Sequence, residues 1–261
     1  MAGTPVLLGA PAERPRPRPP LTANATLVGR EHLTEDVQII LVMPDDGPLP
    51  FQPGQYMSLG LPYDGGWLQR PYSPSGSPGG VPLEFLVRQV SGGQLTPRLW
   101  ATNVGSRLRI GPAKGIFRLT PDDRRAHLFV ATGTGIAPIV AMAAALTRHP
   151  APPPTIVLHG VRHEQELAYR DRLQRWAAEA PRFSYVPAVS RAGPGSSPAA
   201  FHCGRALDLL PEVWAGFRLQ PDGVIAYLCG NPAVVDGAAE WLVARGVAVD
   251  AIRREEYWAT T

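Results

Sequence analysis

Arg70, Tyr72 and Ser73 stand close together in the run LQRPYSPSG. On an extended segment side chains alternate, so Arg70 and Tyr72 share one face with Pro71 between them. An arginine fork matches phosphate oxygens, and a tyrosine ring can lie on a flat ring system. Together they suit a dinucleotide. Downstream, VRQVSGGQLTPRL places Gly92 and Gly93 before a short helical stretch containing Leu95 and Thr96. Such a turn presents consecutive backbone N–H groups and makes a second phosphate cradle. Val87, on the strand just before that turn, completes this group of candidate cofactor contacts. Taken singly, each run also fits a plain turn.

A second set follows apolar runs later in the chain. In ATGTGIAP, Gly133, Thr134 and Gly135 lead into a helix with Pro138 in its first turn, where a missing N–H costs nothing. The helix N-terminus there offers N–H groups to a pyrophosphate, although the spacing is not GxGxxG and an ordinary tight turn fits too. AVSR and CGR supply Ser190, Arg191 and Arg205, and Arg162 follows HG in HGVR. Clustered arginines there favour a 2′-phosphate, hence NADP over NAD; solvated arginines in an arginine-rich chain are the plainer alternative. LCGNP puts Cys229 and Gly230 at the end of an apolar strand. Gly230 allows a flat ring to approach, while Cys229 reads equally well as a buried core thiol. The closing EEYW holds Tyr257 and Trp258, which either pack on the core or cover a flat ring.

These residues need elements to hold them. From Asn24 to about Leu119 the chain reads as short β segments, NATLVGREHL, DVQIILVM, QYMSLGL, PLEFLVRQV and SRLRIGP, broken by Pro, Gly and Asp turns. That spacing argues for an all-β barrel or sandwich. After TPDDRR the pattern changes to apolar strands alternating with helical stretches, which implies βαβ units and a parallel sheet. The expected organisation is a Pro-rich leader over residues 1–20, a β domain over 21–120 and an α/β domain over 121–261. Ligands of such a sheet bind at the carboxyl ends of its strands, where the second set of residues lies.

Composition narrows the function classes. The 261 residues are 44% hydrophobic and 18% charged, enough apolar material for full cores. Two cysteines, Cys203 and Cys229, cannot by themselves build a four-thiolate cluster or zinc site, and Cys203 reads as structural. No apolar run is long enough for a transmembrane helix and the start lacks a signal-peptide pattern, so a cytoplasmic protein is expected. A net charge of +3 is too mild for a nucleic-acid signature. Neither nucleic acid nor membrane is expected as a partner, and a monomer is expected.

The order RPYS, GGQLT, GPAKGIF, GTGIAP, HGVR, SR, CGNP and a terminal YW resembles the ferredoxin–NADP⁺ reductase family in its bacterial form, over roughly residues 24–258. The resemblance implies a six-stranded antiparallel Greek-key FAD-binding barrel followed by an α/β parallel-sheet NADP-binding domain. It implies that Arg70 binds the FAD pyrophosphate, Tyr72 stacks on the isoalloxazine and Ser73 hydrogen-bonds near N5. Gly93, Leu95 and Thr96 match the second FAD phosphate segment. Gly133, Thr134 and Gly135 receive the NADP pyrophosphate. Arg162, Ser190, Arg191 and Arg205 face its 2′-phosphate side, and Cys229 sits near the nicotinamide. Tyr257 shields the other flavin face as a gate and Trp258 lies against the adenine of FAD; the tail Ala259–Thr261 departs from the family pattern. The implied activity moves electrons between NADPH and a one-electron carrier, ferredoxin or flavodoxin, with Arg88, Arg98, Arg107 or Arg109 as docking candidates. Two alternatives remain: the reductase component of an oxygenase with a separate ferredoxin, and a non-catalytic flavin-binding subunit of a larger complex.

Overall fold

Alternating apolar residues between positions 25 and 110 build six antiparallel strands: β1 (Ala25–His32), β2 (Val37–Pro44), β3 (Met57–Tyr63), β4 (Gly66–Tyr72), β5 (Leu83–Arg88) and β6 (Arg107–Ile110). The structure is a computed structural model and describes residues 21–120, 122–193 and 200–257. The expected leader, Trp258 and the tail lie outside the described residues. The strand order is β4-β3-β6-β1-β2-β5, and a bridge between Pro74 and Phe85 brings the two outer strands together into a barrel. Leu27, Ile40, Val42, Met57, Leu59, Phe85 and Leu108 fill its interior. The strand that carries the arginine–tyrosine run is β4, paired with β3 from Met57↔Tyr72 to Tyr63↔Gly66.

A short helix, α1 (Leu95–Ala101), closes one end of the barrel with Leu95 and Leu99 turned into the core. Its C-terminal carbonyls are held from β1. The Arg30 guanidinium donates to the carbonyls of Leu99, Trp100 and Thr102 at 3.2, 3.1 and 2.7 Å. A cation at that end also opposes the negative pole of the helix dipole.

The second half is a six-stranded parallel sheet in the order β10-β9-β8-β7-β11-β12. Its elements are β7 (Ala126–Thr132), α2 (Ile136–Thr147), β8 (Thr155–Val161), α3 (Arg170–Glu179), β9 (Phe183–Val189), β10 (His202–Cys203), α4 (Ala206–Gly216), β11 (Val224–Gly230), α5 (Pro232–Val243) and β12 (Ile252–Glu256). α4 and α5 pack one face of the sheet. α2 and α3 pack the other, in a cluster that also takes Val37, Ile39, Leu86 and Phe117 from the barrel half. Lying between the sheet and the barrel, α2 is apolar on nearly every side, as a helix without a solvent face must be. Cys203 lies exposed on edge strand β10, so the structural reading of that thiol does not hold: an edge residue has no second strand to bury it.

Polar contacts fix the two halves against each other. Ser75 and Tyr169 share a buried hydroxyl–hydroxyl hydrogen bond of 2.7 Å. Arg172 on α3 donates to both carboxylate oxygens of Glu84 on β5 at 2.9 and 3.1 Å. Arg88 on β5 bridges Asp36 and the buried Glu166, each at 2.6 Å.

Candidate functional site

The strand order reverses between β7 and β11, and a crevice at such a switch point is where open parallel sheets bind ligands. Here the barrel closes that crevice from the far side. The result is a cleft of about 750 Å³ whose walls include Arg70, Pro71, Tyr72, Ser73, Gly92, Gly93, Leu95 and Thr96 from the barrel, and Thr134, Ala137, Glu255 and Tyr257 from the sheet half. Residues as far apart in sequence as Tyr56 and Tyr257 thus line one cavity.

The barrel wall has the donor set a dinucleotide needs. The Arg70 side chain is exposed, and its one described hydrogen bond is a local contact from Nη1 to the Gln69 carbonyl at 2.8 Å, which leaves the rest of the fork open. Gly92 has φ +75°, the left-handed region that favours glycine. The Thr96 hydroxyl oxygen accepts the Val90 N–H at 2.9 Å and pins the turn that precedes α1. Tyr72 forms an apolar wall, and burial pushes its hydroxyl up to about 12, so it stays neutral. The exposed cation, the pinned glycine turn and the aromatic wall fit FAD in volume and chemistry.

Four side chains meet at the junction of the halves. The Tyr257 N–H donates to the Gly230 carbonyl at 2.8 Å, which extends β12 by one residue and aims the ring at the barrel. Its O–H donates to Ser73 Oγ at 3.2 Å, and the Cys229 thiol and the Glu255 carboxyl act on it electrostatically. Burial raises the Cys229 thiol and the Tyr257 hydroxyl well above their ordinary values, so both keep their protons. Burial lifts Glu255 to about 7, against a smaller lowering by Tyr257. A carboxyl that titrates near neutrality in a cleft is a site candidate on physical grounds. Sequence reading overlooked Glu255. The signal was its place two residues before the aromatic end of the last strand, which puts both side chains on one face.

The nucleotide-side residues are arranged differently. Thr134 lines the cleft, but Gly133, Gly135 and Gly230 do not. Gly135 and Gly230 are needed for backbone approach: a Cβ on Gly135 would lie 2.8 Å from the Gly230 Cα, and one on Gly230 would lie 2.6 Å from the Thr132 carbonyl oxygen. Ser190, Arg191 and Arg205 are exposed at the carboxyl ends of β9 and β10, away from the cleft. The Arg191 N–H donates to the Arg162 carbonyl at 2.8 Å, which ties the two segments together. Arg162 itself pairs with Glu166 at 3.4 Å and Asp36 at 3.8 Å.

Three expectations change. Val87 is fully buried in the barrel core, because alternation along β5 gives the cleft to its neighbours Leu86 and Arg88. Cys229 sits beneath Tyr257 with 1% exposure and forms no part of the cleft wall. Arg88 is spent on Asp36 and Glu166. Arg107 is ion-paired with Asp45, Arg109 donates to the Thr22 carbonyl, and Arg98 donates to the Gln94 carbonyl, all away from the cleft wall.

Comparison with known proteins matches residues 24–119 to the oxidoreductase FAD-binding domain and residues 129–240 to the oxidoreductase NAD-binding domain. The chain is 36% identical over 197 residues to ferredoxin–NADP reductase B of Sorangium cellulosum, covering 75% of this chain and 80% of that one. It belongs to the ferredoxin–NADP reductase family. The reductase is thus a flavin- and nicotinamide-nucleotide-binding oxidoreductase. It is also 32% identical over 234 residues to the reductase component of a naphthalene 1,2-dioxygenase/salicylate 5-hydroxylase system from Ralstonia, covering 87% of this chain but 66% of that one. In fold it is similar to a ferredoxin–NADP⁺ reductase from Neisseria gonorrhoeae solved with FAD and NADP, with TM-score 0.78, 21% identity and 90% and 98% of the two chains covered. No helix among the described residues of the reductase is long and apolar enough to cross a membrane.

Proposed function

We propose that this chain oxidises NADPH through bound FAD and passes electrons singly to a small carrier protein, ferredoxin or flavodoxin. The observation that carries the reading is the reach of Tyr257 across the domain boundary to Ser73, which brings both halves to one cleft. FAD, when bound, supplies the conversion of a hydride pair into single electrons. The residues supply position and protons. Arg70 and the Gly92–Gly93 turn would hold phosphates, and Tyr72 and Tyr257 would flank the flat ring. Ser73 Oγ would hydrogen-bond its edge, and the Glu255 carboxyl can hold or release a proton there near neutral pH. Tyr257 has to move before a nicotinamide can stack, which makes it a gate. Gly133, Thr134 and Gly135 would receive the nucleotide pyrophosphate, and the exposed Ser190, Arg191 and Arg205 its 2′-phosphate side. Arg162 would join them only by leaving Glu166 and Asp36.

For the carrier, the segment beside Tyr56 at the cleft wall supports a docking role. Backbone bonds of 2.9 and 2.8 Å pin Lys114 to Tyr56, and Lys114, Ile116 and Arg118 face solvent, with Ile116 90% exposed. A basic, apolar patch suits an acidic redox protein. The test is an absorbance spectrum of the purified protein followed by NADPH. Flavin bands that bleach with NADPH and slowly with NADH are expected; a colourless protein overturns the reading. The likeness to the Ralstonia component favours a second reading, service to an oxygenase through its own ferredoxin. A panel of ferredoxins from both kinds of system separates the two.

A further inference from the structure

The ring of His159 lies on β8 two residues before the strand's carboxyl end, opposite Ala131, while Gly160 pairs with Thr132 just before the Gly133–Gly135 turn. It has no exposure to solvent. Its Nδ1 meets the Tyr185 hydroxyl at 3.2 Å. Its Nε2 is buried with no hydrogen-bond partner among the described residues, and the Gly133 backbone lies near the ring. Burial lowers the imidazole to about 4, so the ring is neutral and carries one N–H. Burial also raises the Tyr185 hydroxyl, which stays protonated and can donate to Nδ1. With Tyr185 as the donor to Nδ1, the ring proton sits on Nε2. A buried N–H without an acceptor costs free energy, so the arrangement persists only if something completes it.

We propose that His159 is a positioning residue for the nucleotide: its Nε2–H supports the Gly133 backbone from below, in the shape that receives the pyrophosphate. The inference rests on the reading that Gly133–Gly135 receives that pyrophosphate. Tyr185 sets the tautomer, and His159 fixes the turn from below without touching the ligand. Because the contact lies under the pyrophosphate, it serves NADP⁺ and NAD⁺ alike, unlike the arginines at the 2′-phosphate side.

Calorimetric titration of the FAD-loaded protein with NADP⁺ and with NAD⁺ tests this. His159→Phe is expected to weaken both by the same factor, about 3- to 10-fold, the range for one net hydrogen bond. His159→Gln, which restores an N–H at about the same reach, should bind within about twofold of the parent. The KM for NADPH should rise in the Phe variant with kcat unchanged. Equal binding by His159→Phe and the parent, or loss confined to NADP⁺, overturns the proposal, as does a Gln variant that folds but binds no better than Phe. If the Phe variant fails to fold, Tyr185→Phe replaces it; it should show a smaller common loss, and parent-like affinity for both nucleotides would overturn the proposal. Gly133→Ala separates the underlying reading. If it leaves nucleotide binding intact, the turn is not the pyrophosphate site. If it weakens binding while His159→Phe does not, only the role of His159 fails.

Discussion

The barrel side of the cleft and the carboxyl edge of the parallel sheet carry the same kinds of residues, arginines beside glycine turns, in opposite states. On the barrel side, Arg70, Tyr72, Ser73 and the Gly92–Gly93 turn already line one cavity, with Thr96 and Arg30 pinning the turn and its helix. On the sheet edge, Ser190, Arg191 and Arg205 stand in solvent, and Arg162 is held by carboxylates. A site formed in advance loses little entropy on binding and suits a resident cofactor. An open edge orders its arginines only when ligand arrives and suits a molecule that comes and goes.

Substitutions can break or sharpen that contrast. The largest expected effect is on folding. Gly230→Ala puts a Cβ against Thr132 at φ +129°, and should cost about 3 kcal/mol or more. A thermal melt checks this; an unchanged melting temperature would mean that Gly230 is not needed for packing.

Arg70→Ala should weaken FAD by about 1.5–3 kcal/mol, a loss of about 10- to 150-fold, for one charged hydrogen-bonding partner. The flavin-to-protein absorbance ratio after gel filtration reports it, and full flavin occupancy would count against a formed phosphate site. Arg191→Ala should cost NADPH binding a similar amount and leave NADH unaffected, because the 2′-phosphate alone differs. A constant NADPH/NADH ratio would remove Arg191 from the site. Tyr257→Ser should strengthen nicotinamide binding and lessen discrimination against NADH; unaltered NADP⁺ affinity would end the gate idea.

The smallest effect is in pH. Glu255 binds its proton more tightly folded than unfolded, since burial raises it to about 7 from 4.5. Its stabilising contribution is therefore full below about pH 4.5 and is lost as pH rises through 7. The slope is at most about 1.4 kcal/mol per pH unit. Denaturant melts of the parent and Glu255→Gln across pH 5–8 should differ in slope by part of that, the Gln variant being flatter; parallel slopes would show an ordinary exposed carboxyl.

Much of this is legible in the sequence. The short β segments broken by Pro, Gly and Asp turns became barrel strands, and the apolar runs after residue 125 became the parallel sheet, because both signals are local. RPYS and GGQLT line the cleft. What escaped was set by packing at a distance. Val87 went to the core because register along β5 decides which side chain faces the cleft. Arg88 is claimed by Asp36 and Glu166, 52 and 78 positions away in the chain. Glu255 shares a face with Tyr257 by alternation, but its raised proton affinity comes from burial set by packing.

The sequence by itself determined the two-part architecture and the residue types of a flavin and nucleotide site, since hydrophobic period, turn chemistry and motif order are written along the chain. Only the tertiary structure decided which of those residues meet. Tyr257 reaches Ser73 across 184 positions, Cys229 lies beneath that ring, and His159 lies beneath the Gly133 turn. The physical reason is that burial, ion pairing and proton affinity depend on neighbours in space, and those neighbours come from strands that chain order does not place side by side.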